Sequence, residues 1–333
     1  MAVVATGFFD GVHLGHRLVI DTLLRAAHER GEQSVIVTFW PHPRTVLQKD
    51  ARELRLLSSL QEKRAMLSEL GVDRVEVVPF SREFRSMTAE QYLRDFVKGR
   101  LGGTAIVLGY DNRMGSDGLP HDAIVPLAQS LGLEVVECDP VLGEYCPENL
   151  CHPRQHKREG PIEDGRGPAE QDNFQGNTPP AQGPAISSTK IRAALERGDV
   201  VAAEAMLGYR YGLHGVVVAG NRLGRTLGYP TANMQLYEPL KLVPGNGVYL
   251  VEVETLGGHY YGMTNIGVRP TVSGAGTLTI ETHILDFDEL IYGLDIRLRF
   301  IEKIRDERRF GSLDGLKAQL SADEAVCRAM LAK

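Results

Sequence analysis

Two histidines near the amino terminus, His13 and His16, have the spacing of side chains that share one face of a helical turn. A short apolar segment precedes them and an amphipathic run follows, which indicates a strand leading into a helix. Gly11 and Gly15 permit tight turns, and the backbone N–H groups at a helix start attract phosphate. We therefore predict that the imidazoles donate hydrogen bonds to a phosphate group as charge develops in a transition state. The alternative is two ordinary histidines near a helix cap.

A second candidate phosphate site lies at residues 186–192, ahead of a helix-like run. Its hydroxyl side chains can cap the helix, and two cations lie at the positive end of the helix dipole. Cations are unfavourable there unless an anion arrives, so we predict a loop that binds a triphosphate and steadies the leaving pyrophosphate. The candidate residues are Ser187, Ser188, Thr189, Lys190 and Arg192. The alternative is a helix cap with no further role.

A third motif, at residues 224–233, combines glycines with hard oxygen ligands. Pro230 favours extended backbone, so the side chains of Thr231 and Asn233 share a face. A hydroxyl and an amide oxygen suit Mg²⁺, which completes its shell with waters and ATP phosphates. Backbone amides can approach phosphate at Gly220, Gly224 and Gly228. The alternative is a turn-rich loop that ends in a strand.

Glu281 is the candidate carboxylate for this third motif. It shares one side of a predicted strand with His283. If that side faces the interior of a small barrel, the carboxylate is costly to bury unless it has a task or a partner. The alternative is a solvated outer face, and the alternation of polarity does not separate the two.

The elements that must position these residues divide the chain in two. The N-terminal half alternates strands with helices, which predicts a doubly wound α/β domain with a parallel sheet whose ligands bind at the carboxyl ends of the strands. The predicted strands cover residues 2–6, 34–39, 74–79, 104–108 and 134–138. The predicted helices cover residues 14–30, 60–70, 89–100 and 122–131, with a capping box at Thr88 and Gln91 and helix ends near Gly71 and Gly132.

The C-terminal half predicts antiparallel strands followed by a helix, a pattern typical of a small Greek-key β-barrel with a C-terminal helix. The predicted strands cover residues 248–255, 259–264, 278–285 and 294–300, and the helix covers residues 313–332 with a second capping box at Ser321 and Glu324. A helix over residues 200–206 precedes the barrel. We therefore expect two domains, residues 1–207 and residues 208–333.

A polar insertion at about residues 144–184 separates the last predicted strand of the sheet from the second phosphate site. It has too few large apolar residues to order itself. Four of its residues form a candidate zinc cluster without a standard spacing: Cys146, Cys151, His152 and His156. Free thiols are the alternative.

The composition indicates a cytoplasmic enzyme with two hydrophobic cores. The chain has 333 residues, 43% hydrophobic content and a net charge of −6, without a long basic run, so we expect no nucleic-acid partner. No apolar run is long enough for a membrane span, and no obligate protein partner is evident. Four cysteines without regular spacing indicate a reducing compartment.

Together these motifs resemble those of the bacterial bifunctional riboflavin kinase/FAD synthetase family. Residues 7–16 and 187–192, with 38–43 and 109–115, resemble its HxGH-type FMN adenylyltransferase half, and residues 230–233 resemble its riboflavin kinase half. The resemblance implies that riboflavin and ATP give FMN, and that FMN and ATP give FAD and pyrophosphate. It places the general base for the riboflavin hydroxyl at Glu281. The FMN phosphate is already ionised and needs cations and placement rather than a base.

The resemblance also implies further ligand-binding residues. For ATP these are Gly7, Phe8, Asp10 and Arg225, in addition to the glycines, hydroxyls and Pro230 named above. For the flavin they are Asp111, Asn112, Arg305 and Glu307.

The sequence departs from the family at Asn112 and Met114, where phenylalanine is common. One alternative is therefore a chain in which only the kinase half is active. A different nucleotidyl acceptor would explain the first motif but not the barrel. A non-catalytic flavin-binding regulatory protein is a further alternative, although the complete set of candidate catalytic side chains argues against it.

Overall fold

A computed structural model describes residues 1–41, 55–109, 112–138, 186–220, 223–269 and 277–332. The predicted polar insertion and its four candidate zinc ligands lie outside these residues. Within them, the predicted architecture is confirmed: a parallel sheet with helices is followed by a closed antiparallel barrel and a C-terminal helix.

The N-terminal sheet consists of the parallel strands β1 (Ala2–Thr6), β2 (Gln33–Trp40), β3 (Arg74–Pro79), β4 (Gly103–Gly109) and β7 (Glu134–Cys138). Their order across the sheet is β3-β2-β1-β4-β7. A small hairpin, β5 (Arg113–Met114) and β6 (Leu119–Pro120), precedes the last of them. Successive residues of the central strand, Val3 and Val4, are both fully buried in different hydrophobic clusters. The sheet is therefore covered on both faces.

Helices supply the two covering layers. They are α1 (Leu14–Arg30), α2 (Leu60–Glu69), α3 (Arg82–Ser86), α4 (Ala89–Gln91), the π-helical segment Tyr92–Arg100 and α5 (His121–Ser130). The predicted capping box of Thr88 and Gln91 is confirmed at the start of α4. Gly71 and Gly132 follow α2 and α5 with φ of 91° and 74°, a left-handed conformation that glycine adopts without steric cost.

The C-terminal barrel consists of the strands β8 (Gly212–Val218), β9 (Ala232–Leu236), β10 (Gly247–Thr255), β11 (Gly258–Arg269), β12 (Thr277–Ile284) and β13 (Asp295–Arg305). It closes with the strand order β10-β11-β12-β9-β8-β13. Two of them, β8 and β9, are absent from the sequence-based prediction. The short helix α8 (Leu223–Thr226) lies between these two strands.

The predicted start of the last helix at Leu313 is confirmed, but the predicted capping box of Ser321 and Glu324 is wrong. The last helix, α9 (Leu313–Leu331), begins at Ser312, whose side chain accepts a hydrogen bond from the Gly315 N–H. Ser321 and Glu324 therefore lie inside a continuous helix and do not form a cap. The buried carboxylate of Asp323 joins this helix to the barrel through Arg305 of β13.

Two helices between the sheet and the barrel pack against the barrel. These are α6 (Ser188–Glu196) and α7 (Val200–Leu207). Their apolar residues Ile191, Leu195 and Leu207 belong to the same buried cluster as Tyr211 and Tyr249 of the C-terminal region. The two halves of the chain therefore share a hydrophobic core at this boundary.

None of the helices in the described part of the chain combines the length and the apolar character needed to cross a membrane.

Candidate active sites

The first motif forms a tightly turned loop between β1 and α1. Gly11 has φ of 79°, and its N–H donates to the Ser58 hydroxyl at 2.9 Å. Val12 has φ of 37°, a conformation that is a steric outlier for a β-branched residue. Such strain persists only where the surrounding structure imposes it, and it is concentrated at functional sites. The loop is therefore held in one conformation by its contacts.

His13 and His16 lie at the start of α1 with their rings stacked at a centroid distance of 3.7 Å. The His13 Nδ1 accepts a hydrogen bond from the His16 N–H at 3.4 Å and caps the helix. This contact places the proton of a neutral His13 on Nε2, which leaves Nε2 as a donor. A Cβ at Gly15 would lie 3.2 Å from His13 Nδ1, so a glycine here leaves room for the ring.

Both imidazoles are neutral at physiological pH. Burial lowers the pKa of His13 to about 4, although the nearby Asp10 carboxylate acts in the opposite direction. Burial also lowers the pKa of His16 well below its usual value, assisted by His13 and by the Lys63 ammonium. The His16 Nδ1 is buried without a hydrogen-bond partner in the described structure. The pair therefore offers N–H donors rather than fixed positive charges.

The Asp10 carboxylate organises the loop. It accepts hydrogen bonds from the Leu57 N–H at 3.0 Å and the Ser58 N–H at 3.0 Å. It also forms a buried ion pair with the Arg192 guanidinium, which in turn donates to the Arg55 carbonyl. From the sequence we expected Arg192 to bind a phosphate group. In the structure the anion beside Arg192 is Asp10, because the helix start and the first loop meet.

The second phosphate site lies against the first. Ser187 caps α6 by accepting a hydrogen bond from the Lys190 N–H, and the Ser188 hydroxyl donates to the Asp10 carbonyl at 3.3 Å. Thr189 and Lys190 are exposed at the same helix end. The loop after β1 and the start of α6 therefore meet in the fold.

A cleft of about 940 Å³ opens beside the histidines. Both histidines, Ser187 and Ser188 line it, and so does Asn112. A further wall of the cleft is formed by mutually packed aromatic rings, of which only Phe39 belongs to a motif named from the sequence: Phe39, Phe80, Phe84 and Tyr92. Met114 also lines the cleft. The predicted flavin ligand Asp111 lies outside the described residues.

Lys63 is a further residue that the sequence analysis missed. Its side chain is 3% exposed and lies behind the first loop, where Nζ donates to the Thr38 hydroxyl at 3.3 Å. The ammonium also lies 5.7 Å from the centre of the Phe8 ring. Burial lowers the pKa of Lys63 to about 8, although Asp10 opposes the shift. The sequence does not indicate a role for Lys63, because a lysine is an ordinary residue within a predicted helix such as α2.

In the barrel, the candidate carboxylate and the candidate metal ligand face each other across two strands. Glu281 of β12 is in register with Asn233 of β9 and, on its other side, with Asn265 of β11. Glu281 is half-buried, whereas its neighbours Ile280 and Thr282 are buried in the barrel interior. The carboxylate therefore lies on the outer side of the barrel, and the inward orientation considered for it is wrong.

The glycines of the third motif are required by close backbone contacts. A Cβ at Gly220 would lie 2.2 Å from the Asn233 Nδ2 atom, and a Cβ at Gly224 would lie 2.2 Å from the Tyr229 carbonyl oxygen. Gly228 has φ of 86°. The Pro230 carbonyl lies 2.8 Å from the His283 Nδ1, which joins this loop to β12. Arg225 belongs to α8, and its side chain lies outside the described structure.

The two predicted flavin ligands after the barrel have different surroundings. Arg305 forms a bidentate pair with Asp323, in which Nε donates to Oδ1 at 2.9 Å and Nη2 donates to Oδ2 at 2.7 Å. This pair connects Arg305 to α9. Glu307 accepts a hydrogen bond from the Asn246 side chain at 3.2 Å and lies against Gly267, where a Cβ would be 2.3 Å from its Oε1. Glu307 thus lies beside the strand that carries Asn265.

A smaller cavity of about 260 Å³ opens into the barrel mouth next to this site. Pro230 and Thr231 line it together with Thr282, Phe287 and Tyr292. Glu281 and Asn233 do not line it, so the cavity adjoins the carboxylate rather than containing it.

Comparison with known proteins identifies both halves. A family model for FAD synthetase matches residues 1–145, and a model for riboflavin kinase matches residues 207–331. A bifunctional riboflavin kinase/FMN adenylyltransferase of Listeria monocytogenes is 33% identical over 331 residues, which cover 99% of this chain and 93% of that protein. The chain belongs to the bifunctional riboflavin kinase/FMN adenylyltransferase family. The family prediction made from the motifs is therefore confirmed.

Two further relatives agree in extent. The Escherichia coli K12 bifunctional riboflavin kinase/FMN adenylyltransferase is 35% identical, with 98% of this chain and 91% of that protein covered. A solved structure described as a macrolide-efflux protein from Streptococcus pneumoniae has a TM-score of 0.80 and 30% identity, covering 98% of this chain and 93% of that one. The predicted activities, riboflavin kinase and FMN adenylyltransferase, are those of the family and are confirmed.

The residues of the kinase half fit a magnesium ion of the kind predicted from the sequence. Thr231 and Asn233 supply a hydroxyl and an amide oxygen, which are hard ligands. The Gly220 backbone packs so closely against the Asn233 amide that no side chain fits at position 220, which holds the amide in place. The described residues contain no group of three or more His, Cys, Asp or Glu side chains placed to hold a metal. Waters and ATP phosphate oxygens would complete the shell of a magnesium ion held by these two residues.

Proposed function

We propose that FMN formation takes place at the barrel and FAD formation at the cleft beside the parallel sheet. Riboflavin and ATP are the substrates of the first reaction, and FMN and ATP are those of the second. The observation that carries this assignment is the convergence of the His13 and His16 pair with the N-terminus of α6 at one cleft. We further propose that the domains are residues 1–207 and 208–333.

In the adenylyl site, an oxygen of the FMN phosphate attacks the α-phosphorus of ATP, and the bond to the pyrophosphate oxygen breaks. The nucleophile is already ionised, so no base is required. We assign His13 and His16 to donate hydrogen bonds to the α-phosphate as its charge increases. Ser187, Ser188, Thr189 and Lys190 hold the leaving pyrophosphate at the start of α6, where the helix dipole favours an anion. The aromatic wall of the cleft suits a planar ring system.

Our assignment for Asp10 and Arg192 is positioning. Their mutual ion pair leaves the carboxylate unavailable to repel a triphosphate and fixes the loop against α6. Gly7, Phe8, Gly11 and Gly15 shape the same loop around the ATP phosphates.

In the kinase site, the primary alcohol of riboflavin transfers its proton to Glu281 while its oxygen attacks the γ-phosphorus of ATP, and ADP leaves. When bound, Mg²⁺ supplies charge neutralisation on the ATP phosphates, and Thr231 and Asn233 are the residues that would hold it. Gly220, Gly224 and Gly228, with Arg225 and Pro230, form the loop for the nucleotide. Arg305 and Glu307 remain the proposed flavin-side residues, and Arg305 acts there through its hold on α9.

A cytoplasmic location, together with the lack of a nucleic-acid or obligate protein partner, remains a prediction from composition.

The experiment uses purified protein with riboflavin, ATP and Mg²⁺, and separates FMN from FAD by chromatography. His13→Ala or His16→Ala should lower FAD formation by roughly 10²–10³ and leave FMN formation intact. Glu281→Gln should lower riboflavin phosphorylation by roughly 10²–10⁴ while supplied FMN is still converted to FAD. Asn233→Ala should raise the Mg²⁺ concentration required by the kinase. Histidine variants that make FAD at the wild-type rate would refute the assignment, and wild-type protein that makes FMN only would favour the kinase-only alternative.

A further inference from the structure

A segment before and within α2, residues 56–63, lies between the C-terminal region and the adenylyl loop; we call it the bridging segment. On the side of the C-terminal region, the Leu56 N–H donates to the Leu240 carbonyl at 2.7 Å, and the Leu56 carbonyl accepts from the Leu242 N–H at 2.8 Å. These bonds form a parallel bridge that centres on Lys241, in the connection between β9 and β10. The backbone of one half is thus paired with the backbone of the other.

A partly buried ion pair accompanies the backbone bridge. The Lys241 ammonium lies 2.6 Å from the Glu62 Oε2 atom and 4.9 Å from the centre of the Tyr211 ring, and Lys241 is 7% exposed. Glu62 also closes the capping box of α2, because its carboxylate accepts the Ser59 N–H at 2.7 Å. Lys241 therefore holds the Glu62 carboxylate in position, and this carboxylate in turn caps the start of α2.

The opposite side of the bridging segment holds the adenylyl loop. Its Leu57 and Ser58 N–H groups donate to the Asp10 carboxylate, and the Ser58 hydroxyl accepts the Gly11 N–H. A second contact from the C-terminal region reaches this loop directly, since the Tyr209 hydroxyl donates to the Gly11 carbonyl at 2.6 Å. The described contacts that lead from Lys241 to Gly11 are hydrogen bonds and one ion pair. Each of them involves a buried or partly buried group.

From this arrangement we propose that Lys241 is a positioning residue for adenylyl transfer, although it lies in the riboflavin kinase half of the sequence. It acts through Glu62 and the bridging segment on Asp10, and so sets the position of the phosphate loop relative to α6. This inference rests on the proposed assignment of FAD synthesis to the cleft. Displacement of a reactive geometry by about 1 Å from a remote site can lower a rate by roughly 10²-fold, so the effect is measurable.

The test measures kcat and KM for both reactions in Lys241→Met, Lys241→Arg and Glu62→Gln. Lys241→Met should lower kcat/KM for FMN adenylylation by about 10- to 100-fold and leave riboflavin phosphorylation at the wild-type rate. Lys241→Arg should restore adenylylation, because a guanidinium keeps the ion pair. Glu62→Gln retains an oxygen for the capping box but loses the charge, so it should reproduce the Lys241→Met defect, and the double variant should add nothing further.

Arg210→Met is the matched control. Arg210 pairs with Glu204 of α7 and Glu252 of β10 at the same boundary but does not contact the bridging segment, so both reactions should be retained. Adenylylation at the wild-type rate in Lys241→Met would overturn the inference. Loss of both reactions in each of the single variants Lys241→Met and Glu62→Gln would also overturn it, because it would indicate a general structural role. A wild-type protein that makes no FAD would instead remove the proposed function on which the inference rests.

Discussion

The Asp10 carboxylate and the Arg192 guanidinium form an ion pair that joins the phosphate loop after β1 to the helix that follows the insertion. The two side chains are 4% and 15% exposed, so neither charge is well solvated. Breaking a buried pair from one side leaves the other charge uncompensated. The pair therefore helps to hold the two candidate phosphate-binding segments together.

Removing the charge of Asp10 should destabilise the fold. Asp10→Asn keeps an oxygen for the Leu57 and Ser58 N–H groups but leaves Arg192 unpaired, so the free energy of unfolding should fall by about 3–5 kcal/mol. Denaturant-induced unfolding measures this change. Asp286→Asn serves as the control, because its pair with Arg328 is exposed and should contribute nothing measurable. Equal losses in the two variants would contradict the argument.

The buried His13 should make stability dependent on pH. Its pKa is lowered by burial from 6.5 to about 4, so the unfolded chain binds a proton that the folded chain refuses between those values. The free energy of unfolding should therefore increase with pH across this window. As the pH falls from 6.5 to 4, it should decrease by about 3 kcal/mol through protonation of His13. His16 contributes in the same direction.

His13→Asn tests this dependence. Asparagine is a good helix cap and does not titrate, so α1 should be retained while the slope between pH 6.5 and 4 becomes shallower. Unfolding curves collected at several pH values measure the slope. A variant whose slope equals that of the wild type would show that His13 is not the titrating group.

Lys63 should lower the stability of the fold while it increases the rate of adenylyl transfer. Its pKa is lowered by burial from 10.5 to about 8, so the folded state bears a cost below pH 8 that is relieved as the pH rises towards 10.5. Lys63→Met should then raise the free energy of unfolding at pH 7 by about 2–3 kcal/mol. The same change removes a buried cation beside His16, and the rate of FAD formation should fall about tenfold.

Thermal unfolding and the FAD assay on the same preparation check both halves of this prediction. Lys98→Met is the comparison, because Lys98 is an exposed surface lysine whose ammonium donates to the Leu131 carbonyl, whereas Lys63 is buried. A Lys63→Met protein that is no more stable and no less active than Lys98→Met would disprove the role.

The contact between Gly220 and Asn233 should make position 220 intolerant of any side chain. In Gly220→Ala the new Cβ would lie 2.2 Å from the Asn233 Nδ2 atom, so the amide must move and riboflavin phosphorylation should fall roughly 10- to 100-fold. FAD formation from supplied FMN should be unaffected. Gly311→Ala is the control, since a Cβ there meets no atom within 4 Å and kinase activity should be normal. A fully active Gly220→Ala enzyme would show that this close approach is unimportant.

Much of the fold followed from the sequence because local signals agreed with the tertiary structure. The predicted bounds of α1, β1, β3 and β7 match the observed ones, since apolar periodicity is bounded there by glycine or a capping residue. Strands β8 and β9 were missed because glycines begin and interrupt β8, and a glycine-rich loop precedes β9. Gly215 is needed for tertiary reasons, since its Cβ would lie 2.2 Å from the Gln235 carbonyl oxygen of β9. Such pairing is invisible in a local pattern.

The candidate sites were predictable only where the motif itself carries the chemistry. The histidine pair and the pair of Thr231 and Asn233 could be singled out by residue type and spacing. The ion pair of Asp10 with Arg192 and the approach of Lys63 could not, because each joins segments far apart in the chain. The orientation of Glu281 depends on which side of β12 faces the interior, and alternation alone does not decide that.

The barrel closes most weakly where its candidate chemistry lies. Strands β12 and β9 are paired at two register positions, Glu281 with Asn233 and Thr282 with Ala232, whereas β10 and β11 pair from Gly247 to Thr255. Local openings begin where few backbone bonds hold an element, and they precede global unfolding. On warming, we therefore expect Glu281 and Asn233 to separate before the barrel melts. We expect this seam, rather than the hydrophobic core, to set the thermal limit of riboflavin phosphorylation.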